Sequence, residues 1–140
     1  AVFGGEHSAH YYFRDFWFAD TGMLAAMHVL AALGEQDRPL SELMAAYGGY
    51  AASGEINSTV GDVAGATAQV RAWAAGQDVR VDELDGLTVV HDGGPDDPMW
   101  WFNLRPSNTE PLLRLNVEAA DTDTMARVRD DVLSIVRAGA

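Results

Sequence analysis

The stretch Arg105-Pro106-Ser107-Asn108-Thr109-Glu110-Pro111 gathers a guanidinium, two hydroxyls and a carboxamide between two apolar runs, Met99 to Leu104 and Leu112 to Val117. With the intervening backbone N–H groups, these are the donors from which the oxygens of an anionic phosphate accept. The loop therefore reads as a phosphate cradle. The same composition also suits an ordinary hairpin connection, in which Ser, Asn and Thr satisfy their own backbone. Donor chemistry alone leaves both readings open.

The flanking runs explain how such a loop would be held still. Trp100, Phe102 and Leu104 alternate with Met99, Trp101 and Asn103, and Leu113, Leu115 and Val117 alternate with Arg114, Asn116 and Glu118. Both runs have the period of two that marks half-buried strands. Pro111 fixes φ where the second strand begins, and Pro106 pushes Arg105 toward an extended backbone at the end of the first. Arg114 falls on the polar side of its strand, where a structural pair with Glu118 or Asn116 is the expectation.

A second polar loop, Gly4-Gly5-Glu6-His7-Ser8-Ala9-His10, follows Ala1-Val2-Phe3, which reads as the end of a buried strand. Asp20 or Thr21 suits the cap of a helix running to about Leu33, and Ser41 the cap of a shorter one to about Tyr47. One strand end and two helices cannot close a core. Residues 1–50 are therefore expected to be the tail of an incomplete α/β domain. The helix near 21–33 is expected to expose Leu24, Met27 and Leu30 unless another chain covers them, so either dimerisation through these N-terminal helices or disorder there is the expectation. Phe16-Trp17-Phe18 is expected to pack rather than to stack on a sugar.

The glycine-rich segment 48–54 marks a boundary. Beyond it the patterning predicts a strand near 55–60, a helix over 62–75, a strand near 87–91, the hairpin and a last helix over 123–137. Val63, Thr67, Val70 and Trp73 or Ala74 share one helical face, and Met125, Val128, Val132, Ile135 and Val136 another. Residues 51–140 thus form a small α+β domain, an antiparallel sheet packed by two helices.

The 140 residues, 48% hydrophobic, can bury one real core. A net charge of -12 speaks against nucleic acid or an anionic membrane as partner, since neither rewards so acidic a surface. All nine cations are arginine, so an anionic ligand must be held at short range against an unfavourable overall field. No cysteine, no signal peptide and no apolar run of membrane-spanning length make a reducing cytoplasm the expected compartment.

Taken in order, Gly-Gly-Glu-His-Ser-Ala-His at 4–10, Asp20-Thr21-Gly22, Ser53-Gly54-Glu55-Ile56-Asn57-Ser58, the 105–111 loop and Arg114-Leu115-Asn116-Val117-Glu118 resemble the C-terminal part of the α-D-phosphohexomutases. Within that superfamily the chain is most similar to the bacterial phosphomannomutase/phosphoglucomutase group, because asparagine stands at 108 where glucosamine mutases usually have glycine. Two loops in order, about 95 residues apart and each at a strand end, make a specific signal. The resemblance implies that residues 1–50 belong to a third, sugar-binding α/β domain. It likewise implies that residues 51–140 are a fourth, phosphate-binding domain of TATA-box-binding-protein-like fold.

It also implies roles. Glu6 and Ser8 match the glutamate and serine that meet the ring hydroxyls of the hexose, and His10 matches the histidine near the reacting phosphoryl group. As a neutral imidazole, His10 would move a proton to or from a hydroxyl, or stabilise the phosphate. Arg105, Ser107, Asn108 and Thr109 match the grip on the phosphate that does not react. The commoner form of the sugar loop has methionine and glycine at the positions of His7 and Ala9, so His7 reads as a local variant.

The implied activity is reversible interconversion of hexose 1-phosphate and hexose 6-phosphate of mannose or glucose, through a hexose 1,6-bisphosphate that also serves as activator. The family's phosphoserine and its aspartate-rich magnesium loop have no counterpart here: the chain contains neither Thr-x-Ser-His-Asn nor Asp-Gly-Asp-x-Asp-Arg. No metal ligand is therefore expected in this chain, magnesium belongs to the remaining domains of a parent protein, and the chain alone is expected to be inactive. The alternative is a non-catalytic module that binds phosphosugar or a protein partner.

Overall fold

The alternating apolar residues at 100–106 and 112–119 become the two longest strands of the computed structural model, which describes residues 1–6, 9–108 and 110–138. The chain divides into two units, Ala1–Gly48 and Gly49–Ala140.

The first unit opens with a hairpin. Strand β1 (Phe3–Gly5) pairs antiparallel with β2 (Tyr11–Phe13), Gly4 opposite Tyr12, so the polar residues between them form its connection. The sequence pattern does not reveal β2, because three residues are too few to show a period. A single 3₁₀ turn, Arg14–Phe16, follows, and Trp17 and Phe18 both take left-handed backbone at φ 54° and 53°. Such backbone costs an L-residue roughly 1–2 kcal/mol. Here it reverses the chain so that Asp20 returns to bridge Tyr12.

Helix α1 (Gly22–Gly34) is capped by Thr21, whose hydroxyl accepts from the Leu24 N–H at 3.2 Å. Helix α2 (Leu40–Ala45) is preceded by Pro39 in the capping position, with no side-chain cap, so Ser41 lies inside the helix rather than before it. The proline's fixed φ of -68° and extended ψ set the helix start instead. Neither helix contains a buried residue: Met27 is 58% and Leu30 65% exposed, while Leu24 is half-buried against the expectation for it.

The second unit is a six-stranded antiparallel sheet. Its members are β3 (Ala51–Ala52), β4 (Ile56–Thr59), β5 (Arg80–Asp82), β6 (Leu87–His91), β7 (Trp100–Pro106) and β8 (Leu112–Ala119), in the order β3-β8-β7-β6-β5, with β4 also paired to β8. Two helices complete it, α3 (Val63–Ala74) and α4 (Thr122–Ala138). Ser53 joins β3 to β4 along the same partner: its N–H donates to the Val117 carbonyl, and its hydroxyl accepts from the Val117 N–H.

Up to His91 and Pro106 at the strand ends, alternate residues of the central strands are buried: Leu87 and Val89, Trp100, Phe102 and Leu104, and Leu113, Leu115, Val117 and Ala119. They pack against Ala66, Val70 and Ala74 of α3 and Met125, Val128, Val132 and Val136 of α4. Trp73, Trp100 and Phe102 meet as an aromatic cluster with ring centroids about 6 Å apart. Burying a side chain such as Phe102 is worth about 2–3 kcal/mol relative to exposure. Strand β5 escapes a sequence reading because all three of its residues are exposed, and only its pairing with β6 makes it a strand.

Candidate functional site

The opposite face of the sheet carries the polar alternates. In the β7–β8 ladder Trp101 faces Glu118, Asn103 faces Asn116 and Arg105 faces Arg114. Only Pro106 opposite Leu113 separates the last pair from the connection that follows, so both arginines stand on the same face near its base. Like charges directly opposite each other are destabilising in a sheet. Each has a carboxylate near it, Arg105 the Asp85 Oδ2 at 3.6 Å and Arg114 the Glu55 Oε1 at 3.9 Å.

Arg114 does not form the expected pair with Glu118 or Asn116. Four residues along a strand separate Arg114 from Glu118 by about 13 Å, and Glu118 instead accepts from the Trp101 indole N–H at 3.2 Å. Arg114 reaches Ser107 Oγ at 3.4 Å through Nη2 and Glu55 Oε1 at 3.9 Å through Nη1. Its Nε is shielded from solvent with no hydrogen-bond partner among the described residues. Leaving such a donor unmade costs about 1–3 kcal/mol.

Within the loop, the Ser107 N–H donates to the Leu112 carbonyl at 2.8 Å, and the Leu112 N–H to the Glu110 carbonyl at 2.7 Å. The Ser107 amide is thus engaged with Leu112, and the side chains of Arg105, Ser107, Asn108 and Arg114 stand around the start of the connection. Asn108 is exposed and Ser107 half-buried. Thr109 lies outside the described residues.

The first unit holds the other candidate residues in the β1–β2 connection. The Glu6 N–H donates to the His10 carbonyl, and the Ala9 N–H to the Glu6 carbonyl, both at 3.0 Å. Ala9 has φ 65°, the left-handed backbone that glycine adopts most readily, which gives a physical reason why glycine suits this position. The Tyr12 hydroxyl donates to Glu6 Oε1 at 2.8 Å and so fixes the carboxylate from β2. That bond pushes the Tyr12 hydroxyl above its ordinary range. Ser8 and His7 lie outside the described residues.

His10 Nδ1 sits 2.6 Å from Asp20 Oδ2, while Asp20 Oδ1 accepts from the Tyr11 N–H at 3.0 Å. Hydrogen bonding and attraction to Asp20 raise the His10 pKa, and the same bond, with the Tyr11 amide, lowers that of Asp20. The imidazole is thus biased toward its charged form, where the sequence reading expects a neutral ring. With Nδ1 engaged by Asp20, Nε2 is the ring nitrogen that this bond does not use.

Three residues go beyond the sequence reading. Asp20 passes as one of two possible helix caps, and once Thr21 takes that place its carboxylate is available for His10. Tyr12 and Arg114 depend on strand register, which no residue spacing reveals.

Known proteins share this chain's sequence and fold. Residues 55–135 match the family model described as phosphoglucomutase/phosphomannomutase, C-terminal domain, and residues 1–50 match the same family's alpha/beta/alpha domain III. A phosphomannomutase of Escherichia coli is 40% identical over 139 residues, and one of Methanocaldococcus jannaschii 38% over 136, covering 98% and 97% of this chain. The chain spans 29% and 28% of their respective lengths. A solved structure of a phosphoglucomutase/phosphomannomutase family protein from Burkholderia thailandensis matches with a TM-score of 0.75 at 26% identity, over 99% of this chain and 28% of that one.

Proposed function

This chain belongs to the phosphoglucomutase/phosphomannomutase family, and we propose that it is the sugar-reading and phosphate-gripping part of a mutase. The parent enzyme would interconvert the 1-phosphate and 6-phosphate of mannose or glucose through a hexose 1,6-bisphosphate. The observation that carries this reading is the placement of Arg105 opposite Arg114 beside Ser107. Two guanidiniums and a hydroxyl at the mouth of one loop suit a dianionic phosphate, whose charge removes the repulsion between them.

The division of labour follows from the donors. Arg105, Arg114, Ser107, Asn108 and Thr109 hold the phosphate that does not react. Glu6 accepts from ring hydroxyls, steadied by Tyr12, and the Ser8 hydroxyl can both donate and accept. His10, whose pKa Asp20 raises, would as the imidazolium offer Nε2–H to a phosphoryl oxygen or give that proton to a sugar alkoxide as a bond breaks. The bisphosphate turns around between two transfers, so both loops must accept either end of the sugar.

Among the described residues no group of three or more His, Asp or Glu is placed to hold a metal ion. Magnesium and the serine that carries the phosphoryl group are assigned to other parts of the parent protein. No described helix is long and apolar enough to cross a membrane, and a phosphosugar mutase fits a cytoplasmic setting.

Titration of the 140-residue chain with inorganic phosphate and glucose 1-phosphate, followed by amide and guanidinium NMR shifts, tests the cradle. Shifts confined to the 105–114 region and lost in Arg105→Ala are expected; shifts indifferent to that substitution would refute it. A phosphomannomutase assay on the same chain, with magnesium and bisphosphate activator, is expected to show no turnover.

A further inference from the structure

The turn between β5 and β6 lies against the root of Arg105. Gly86 has φ 75°, and a Cβ there would stand 2.6 Å from Arg105 Cβ and 2.7 Å from the Leu104 carbonyl oxygen, so the turn touches the β7 backbone directly. The Asn103 carboxamide donates to the Asp85 carbonyl at 2.8 Å and to Thr88 Oγ1 at 2.9 Å, which fixes the turn from the next strand. On the far side Glu83 pairs with Arg71 of α3. These contacts hold the backbone of the turn, and the exposed Asp85 carboxylate places its Oδ2 3.6 Å from Arg105 Nη1.

We propose that Asp85 is a built-in counter-anion of the phosphate cradle, which holds Arg105 in the absence of ligand and must be displaced by an incoming phosphate. This rests on the phosphate reading of Arg105 and deepens it. A single carboxylate carries one charge and a phosphate near neutral pH carries up to two, so the dianion wins the guanidinium where a lone carboxylate ligand gains little. The device gives the site selectivity for doubly charged groups in a chain whose net charge of -12 already repels anions. Asp85 acts through Arg105 and is therefore a positioning residue.

The test is NMR titration of the 140-residue chain with inorganic phosphate, comparing wild type with Asp85→Asn, Glu83→Gln and Arg105→Ala. An exposed pair of this kind is worth a small factor, so D85N is expected to bind phosphate roughly two- to fivefold more tightly, with a shifted Arg105 guanidinium signal before ligand is added. E83Q removes the same charge from the same turn on its other side and is expected to change affinity less. Equal tightening in both would overturn the local pairing in favour of the general field. Unchanged or weaker binding by D85N, while R105A abolishes binding, would overturn the counter-anion and leave the cradle standing. Binding by neither wild type nor D85N would overturn both.

Discussion

Arg105 and Arg114 face each other across the β7–β8 ladder, and Arg114 extends to the hydroxyl of Ser107 at 3.4 Å. Two like charges in direct register are a cost in the ligand-free sheet and an asset once an anion joins them.

The first prediction follows from that sign. Arg105→Ala and Arg114→Ala should each weaken phosphate binding about 10- to 100-fold, the range of one charge-assisted hydrogen bond. The double variant should lose less than the sum, because the two residues serve one group. Calorimetric titration of both single variants and the double variant measures this.

His10 supplies the second. Its pKa is raised first by the hydrogen bond to Asp20, so Asp20→Asn should lower it toward the ordinary value of 6.5 while keeping an oxygen for the Tyr11 N–H. NMR titration of the ring protons reads the shift directly. An unchanged midpoint would show that Asp20 does not govern the imidazole.

His91 gives a third, with a definite pH dependence. Its Nδ1 lies 2.8 Å from the Asp78 carbonyl and its Nε2 2.8 Å from Asp97 Oδ2, and its ring stacks on Trp100. Both partners are acceptors, so both nitrogens donate only as the imidazolium. The bond to Asp78 first, and then that to Asp97, raise its pKa above 6.5. The nearby Asp92 is paired with Arg80 through two hydrogen bonds. A raised folded pKa stabilises below the unfolded value and loses its effect as pH rises through the folded one. Urea unfolding should show Asp97→Asn less stable than wild type below about pH 6.5, with the gap closing toward higher pH.

Gly86 provides the fourth. At φ 75°, with no room for a Cβ against Arg105 and Leu104, Gly86→Ala should cost about 2–4 kcal/mol of stability. Chemical denaturation checks the loss. Gly61 has no positive φ, and a methyl added there would have nothing within 4 Å, so it should tolerate alanine within about 0.5 kcal/mol.

The uncovered face of α1 yields the fifth. Met23, Met27 and Leu30 are all exposed, and the 140-residue chain should self-associate with rising concentration. Light scattering should show Met27→Glu shifting it toward monomer.

Much of the second unit was legible as pattern. Period-two alternation marked the buried faces of β7 and β8, and helical spacing marked Val70, Val128 and Val132, because burial on one face imposes those periods. Strand β5 was not legible, since an exposed edge strand leaves no such mark. The site divided in the same way.

Residue types and their order along the chain were enough to carry the resemblance to the family, through Arg105, Ser107, Asn108 and Thr109 in one segment and Glu6, Ser8 and His10 in another. Which groups meet emerged only from the folded chain: Arg114 with Arg105, Asp85 against Arg105, Asp20 on His10 and Tyr12 on Glu6. Residue type and local period are carried by neighbours along the chain. These pairs are instead fixed by strand register and by turns that return the backbone, and one residue of slip would send every partner to the other face.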